Sequence, residues 1–317
     1  MRPIRSILVV PLLALSLSVA ACGDDPAVTP PAAGPTSATG AGFPVTITDD
    51  DGVSVTLDAP PERIVTFAPS MTEIVFALGL GDRLVGVSGP FDDFPPEAAD
   101  IEEVGGAGDF GVDPNIEQVV GLEPDLFLTI KGGDQWKRRL RDLGVPVVTL
   151  DAADLDDLMD DIEVAGRITG AGDAAAAVVG DLRSQADEVE AAVAGTPRVT
   201  CFYETFFPPL YTVGPGTFIY DLLERAGCDP VTSSAGQQYP QWSVEDLVDQ
   251  GPDVYLVSSE SGAGPNAVAR RAGFEAIAAV AAGRVFAIDS SLAERPGPRI
   301  VEGLRLIAEA LHPEAFA

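Results

Sequence analysis

The chain has 317 residues, 46% of them hydrophobic, and carries 49 acidic against 19 basic side chains, a formal net charge of −30 at pH 7. That apolar content can bury a core, so the acidity does not signal disorder, and at about 100–200 residues per domain two lobes are expected. The acidic surplus excludes nucleic-acid binding through phosphates, which needs clustered Lys and Arg. One His and three Cys argue against a His- or Cys-built metal site.

The chain opens with an address. Arg2 and Arg5 make a basic start, Ile7 to Val19 is an apolar run too short to span a bilayer comfortably, and Val19-Ala20-Ala21-Cys22 places small residues before a cysteine. These are the parts of an export signal, assigned to residues 1–21. The terminal Cys resembles the lipobox of bacterial lipoproteins, and that resemblance implies a lipid on Cys22 holding the protein at an outer membrane face. An ordinary signal peptide with an incidental cysteine is the alternative. Residues 22–43, rich in Pro, Ala, Gly, Thr and Ser without hydrophobic periodicity, read as a flexible tether.

From Phe43 onward short apolar runs alternate with helical patterns. Strands are expected at Arg63–Ala68, Leu84–Val87, Asp125–Ile130 and Val145–Leu150, with a helix over Met71–Leu80. A second series runs through Arg198–Tyr203, Asp253–Ser258 and Arg284–Asp289. This alternation points to parallel sheets in two α/β lobes, assigned to residues 44–172 and 196–317. Between them a helix over Asp154–Ile168 breaks at Gly170-Ala171-Gly172. A second helix, Ala174–Ala194, would measure about 31 Å at 1.5 Å per residue. It is read as a rigid strut joining the lobes (residues 173–195); two ordinary helices of one domain are the alternative.

The halves echo each other. Asn115-Ile116-Glu117-Gln118-Val119-Val120 leads through Leu122-Glu123-Pro124-Asp125, and Ser243-Val244-Glu245-Asp246-Leu247-Val248 leads through Gln250-Gly251-Pro252-Asp253. Each is a short helix followed by Pro-Asp and a strand. Glu117 and Glu245 fall in first turns, where the helix dipole alone favours a carboxylate; a matching surface charge on each lobe is the functional reading. Cys201 and Cys228 would be in an oxidising compartment after export, where a disulfide and two buried thiols both fit.

Several segments together resemble a known family: Pro61-Glu62-Arg63-Ile64-Val65, Ala68-Pro69-Ser70-Met71-Thr72-Glu73-Ile74, Phe94-Pro95-Pro96-Glu97-Ala98 and Leu122-Glu123-Pro124-Asp125-Leu126. Pro240-Gln241-Trp242-Ser243-Val244-Glu245 and Arg295-Pro296-Gly297-Pro298-Arg299 extend the match, which covers about Val45 to Leu311. The family is the helical-backbone substrate-binding proteins of ATP-binding-cassette importers for iron-siderophores and vitamin B12. The resemblance implies two lobes on one rigid helix, a ligand cleft between them, and delivery of ligand to a permease dimer driven by its ATPase. It also implies that Glu117 and Glu245 meet arginines of the permease.

Crevices beyond the carboxyl ends of parallel strands are where such lobes bind ligands. Ser70, Met71, Lys131, Glu204, Phe207, Glu294 and Arg295 lie at or near those ends, and Phe110, Trp136, Tyr239 and Trp242 lie in nearby loops. Loop aromatics suit a large ligand with flat apolar faces. The resemblance places Phe91 and Leu292 against a corrin and leans to cobalamin. The family's usual aromatic pair is replaced here by Leu292-Ala293, which keeps a ferric siderophore as the second ligand; haem ranks behind, with no His in the loops. A monomer without cofactor or resident metal is expected, and not an enzyme: Gly105-Gly106-Ala107-Gly108 lacks the strand–turn–helix setting of a phosphate loop, and His312 is the sole His for any nucleophile. A structural or sensory envelope lipoprotein is the alternative.

Overall fold

The computed structural model describes residues 42–106 and 112–317. The export signal, Cys22, the tether before residue 42 and Phe110 lie outside the described residues.

The N-terminal half begins with an antiparallel hairpin, β1 (Val45–Thr48) and β2 (Ser54–Leu57). It continues through β3 (Ile64–Phe67), α1 (Pro69–Ala77), β4 (Leu84–Gly86), α2 (Ile116–Gly121), β5 (Leu126–Thr129), α3 (Asp134–Asp142) and β6 (Val147–Thr149). Two helices follow, α4 (Leu155–Thr169) and α5 (Gly172–Val193). The C-terminal half holds β7 (Val199–Phe206), β8 (Tyr211–Thr212), α6 (Phe218–Arg225), β9 (Cys228–Pro230), α7 (Val244–Gln250) and β10 (Val254–Ser258). Then come α8 (Pro265–Val268), α9 (Ala278–Ala281), β11 (Val285–Ile288), α10 (Ser290–Ala293) and α11 (Ile300–Leu311).

Two parallel sheets result, as the alternating pattern requires. Their strand orders correspond: β4-β3-β5-β6 in one half, and β9-β7-β10-β11 in the other, where β8 adds an antiparallel strand at the far end of β7. The central strands β5 (Leu-Phe-Leu-Thr) and β10 (Val-Tyr-Leu-Val-Ser) are buried throughout, the continuous apolar runs of sheets covered on both faces.

The echo between the halves extends to the backbone. Asn115 caps α2 by accepting from the Gln118 N–H, and Ser243 caps α7 by accepting from the Glu245 and Asp246 N–H groups. Both helices end in a left-handed residue at the same repeat position, Glu123 (φ 49°) and Gly251 (φ 57°). The Pro-Asp that follows clasps the first strand of its own sheet. Asp125 accepts the N–H groups of Glu62 and Arg63, both at 2.8 Å, and Asp253 accepts the Thr200 N–H at 3.0 Å and hydroxyl at 2.8 Å.

The connection between the halves is made by α4 and α5; α5 is the long helix expected there, and α4 packs antiparallel against it as the other arm of a helical hairpin. The Leu155 N–H at the start of α4 donates to Asp221 of α6, so the chain has already reached the C-terminal half. It then runs back: Arg83 of the N-terminal half donates to the carbonyl of Thr169, the last residue of α4. α5, about 33 Å long at 1.5 Å per residue, returns antiparallel to α4. Arg225 locks the far end, pairing with Asp156 of α4 (2.7 Å), Glu190 of α5 (2.9 Å) and Asp221 (2.8 Å). One apolar core runs from β3 and α1 through α4 and α5 to α6, β10 and α11, with a smaller cluster under the outer face of each sheet. Cys201 and Cys228 form a disulfide between β7 and β9, with Cα atoms 5.9 Å apart.

Candidate ligand cleft

The carboxyl ends of β3, β5 and β6 converge on the segment after α10. Ser70 and Met71 at the start of α1, Ile130 after β5, Leu150 and Asp151 after β6, and Glu294 and Arg295 from the other half enclose a cavity of about 150 Å³. Asp161, reaching in from α4, completes its floor. Near it lie Phe91, 63% exposed, whose carbonyl meets Arg295, and Tyr239, 55% exposed, within reach of the charges of Glu294 and Asp151. Apolar rings in water at a cleft mouth offer large flat contact areas.

Two loops set this geometry. The loop bearing Phe91 is pinned by the buried Asp92, whose carboxylate accepts from the hydroxyls of Thr72 and Ser88 and from the Gly89 N–H. Gly105 lies so close under the Ser88 carbonyl that any side chain there would strike it. The loop also meets the other half: Arg295 donates to the Phe91 carbonyl and to Asp93, both at 3.1 Å. Beside it, Arg299 forms a two-pronged ion pair with the buried Glu73 of α1, at 2.9 and 2.6 Å, and lies 3.9 Å from the centre of the Phe94 ring. The halves are thus clamped directly across the cleft as well as through the hairpin.

The floor is acidic. Glu294 accepts from the Tyr203 hydroxyl at 2.8 Å, and burial together with that carboxylate pushes the tyrosine well above its usual range. Burial, reinforced by Asp50, Asp157, Asp151 and Asp160, pushes Asp161 up to about 8, so it carries a proton at neutral pH. The cations nearby are occupied: Lys131 lies 3.4 Å from Asp151, and Arg295 pairs with Asp93. Such a floor favours neutral or cationic groups over anions. Three or more His, Cys, Asp or Glu side chains do not group into a metal site among the described residues.

Ser70, Met71, Glu294 and Arg295 therefore come together, and Phe91, Lys131 and Tyr239 lie outside this floor. Five other expected residues make different contacts. Trp136 packs against Phe67 and Phe127, at 5.4 and 5.7 Å between ring centres, and lines a separate depression beside Glu117. Glu204 is fully buried in an ion pair with Arg271 and accepts from the Tyr255 hydroxyl. Phe207 stacks edge-on to Phe274 at 5.6 Å beneath the same Arg271. Trp242 packs against the outer C-terminal cluster and donates to Gln250. Leu292 faces Val189 and Leu306 between α5 and α11, away from the floor. Charged or aromatic residues near strand ends serve internal packing as readily as ligand contact, and composition alone does not separate the two. Asp161 escaped notice because it sits in an acidic helical segment that reads as solvated. Its signal was position, since it shares the stripe of the buried Leu158, Ile162 and Ala165.

Glu117 and Glu245 are both exposed. α2 and α7 lead into β5 and β10, so their first turns lie at the carboxyl edges of the sheets, on the side where the cleft opens. Val120 is 37% exposed, whereas Val119 and Leu247 are buried and hold the helices to their clusters.

A family model described as periplasmic binding protein matches residues 64–292. The chain belongs to this family. Among curated relatives of this periplasmic binding protein, an uncharacterised ABC transporter substrate-binding lipoprotein, YvrC, of Bacillus subtilis is 33% identical over 284 residues, covering 86% of the chain and 87% of the relative. A cobalamin-binding protein of Halobacterium salinarum is 33% identical over 320 residues, covering 95% and 83%. Among solved structures, the periplasmic vitamin B12 binding protein BtuF of Vibrio cholerae superposes with a TM-score of 0.71 at 27% identity, over 81% of the chain and 98% of its own. An ABC-type Fe3+-hydroxamate transport system structure from Saccharomonospora viridis gives 0.69 at 28%, over 84% and 99%. The two-lobed fold of this family is the one described above.

Proposed function

We propose that the protein is the extracytoplasmic ligand-capturing component of an ATP-binding-cassette importer, and that it carries a cobalamin-type ligand. The observation that carries this reading is the near full-length kinship with a cobalamin-binding protein. The cleft agrees with it: exposed rings at the mouth suit a broad macrocycle, and an acidic floor suits a neutral one. A ferric hydroxamate is the second reading, favoured by the Saccharomonospora viridis neighbour; the same floor disfavours haem, whose propionates are anionic. In this account the monomer is held at the membrane by lipid on Cys22 and docks on the permease through Glu117 and Glu245. An intact mass of membrane-extracted protein that retained residues 1–21, or showed an unmodified Cys22, would remove the anchor.

The ligand assignment is tested by mixing purified protein with cyanocobalamin, or with a ferric hydroxamate, and reading absorbance of the protein peak after gel filtration. Co-elution of one equivalent of cyanocobalamin is expected. Retention of the iron complex alone would move the assignment to siderophores, and retention of neither would overturn it.

A further inference from the structure

Asp161 stands apart from the other carboxylates at the cleft. Glu294 is engaged by Tyr203, Asp151 by Lys131 and Asp93 by Arg295. Asp161 is 93% buried and lines the cavity; it forms no side-chain hydrogen bond among the described residues, and its carboxyl oxygens, not being sealed off, keep an opening onto that space. A carboxyl group that opens onto a small cavity keeps its hydrogen-bonding capacity for whatever enters. Here the free valence faces the space where the two halves meet.

The surroundings define what can fill it. Asp157 and Asp160 flank it on α4, Asp151 approaches from β6, Asp50 from the β1–β2 turn, and Glu294 with the already paired Arg295 from the C-terminal half. The neighbouring residues of α1, Ser70 and Met71, carry no charge. Anionic groups are repelled. With its proton retained, the carboxyl group presents one donor and one acceptor side by side, the mirror of a carboxamide's acceptor and donor. The cavity, about 150 Å³, admits a side arm rather than a whole macrocycle.

We propose that Asp161 is a specificity-determining residue of the cleft, receiving a neutral carboxamide-type arm of the bound ligand while the exposed rings at the mouth cover its flat faces. The amide arms around a corrin ring belong to this class. The inference rests on the reading of the cleft as the ligand site.

It is tested on the full chain by titration with cyanocobalamin, comparing wild type with Asp161→Asn and Asp161→Leu. Asn keeps a neutral donor and acceptor and should weaken binding about threefold, whereas Leu should weaken it about tenfold or more. Between about pH 6 and about pH 9 the wild-type affinity should fall roughly tenfold as the carboxyl ionises, and that of Asp161→Asn should not. The inference is overturned if Asp161→Leu binds like wild type, or if Asp161→Asn keeps the wild-type pH profile. Should the Leu variant fail to fold by circular dichroism, the Asn comparison decides alone. A wild type that binds no cyanocobalamin defeats the cobalamin reading and this inference together; tight binding by all three proteins defeats only the inference.

Discussion

Asp125 and Asp253 show how much a single residue can carry. Each Pro-Asp was legible as a motif and as half of a repeat, yet the job of its carboxylate was not, because its partners lie far away in the chain. Asp125 acts on residues 62–63 places before it, and Asp253 on Thr200, 53 places before it. The bonds from the Thr200 N–H and hydroxyl hold Asp253 below the usual carboxylate range. A carboxylate whose folded value is depressed adds stability above its unfolded value near 3.8, and that stability is lost as the pH falls through the folded one. Asp253→Ala should therefore cost about 0.5–1 kcal/mol near neutral pH, the exposed carboxylate being screened by solvent, with the gap to wild type closing in strong acid. Urea unfolding of both proteins across the acid range checks this; a gap independent of pH would mean the loss is one of packing.

At the scale of elements, every strand assigned from apolar runs is present within a residue or three of its expected bounds, since buried parallel strands advertise themselves locally. The β1–β2 hairpin and β8 were not legible. Asp49 and Asp51 of the hairpin turn pair with Arg141 and with the fully buried Lys137, and no local pattern announces that contact. The same holds for the hairpin path of α4 and α5, fixed by Asp221 and Arg225 rather than by helical periodicity. The clamp between α1 and the loop before α11 is likewise long-range. Glu73 is buried at 3% exposure of its side chain and Arg299 at 17%. Glu73→Ala leaves a nearly buried guanidinium without its partner and should destabilise the protein by about 3 kcal/mol. Replacing the pair by Glu73→Leu with Arg299→Met should restore most of that. Thermal unfolding of the wild type and both variants checks it; equal losses in the single and double mutants would show that the clamp's packing, not its charge pairing, is what matters.

For the whole molecule, the correspondence of strand orders places Glu117 and Glu245 at equivalent points of the two halves, each exposed in the first turn of a capped helix. A solvated first-turn carboxylate contributes only tenths of a kcal/mol to folding, whereas an Arg–carboxylate pair across an interface is strong and directional. Glu117→Gln combined with Glu245→Gln should leave melting temperature and ligand affinity within error and cut ligand uptake by about tenfold or more. Normal uptake by the double mutant would reduce both residues to helix-dipole partners. The apolar core that passes without a break from one half to the other has another consequence. Each half keeps a smaller cluster of its own, but the main core is shared, so neither half should be a folding unit in its own right. The two sheets should gain and lose their order together, as one cooperative step, and an insertion or truncation that separated them would leave a raw hydrophobic surface on each fragment instead of two smaller proteins.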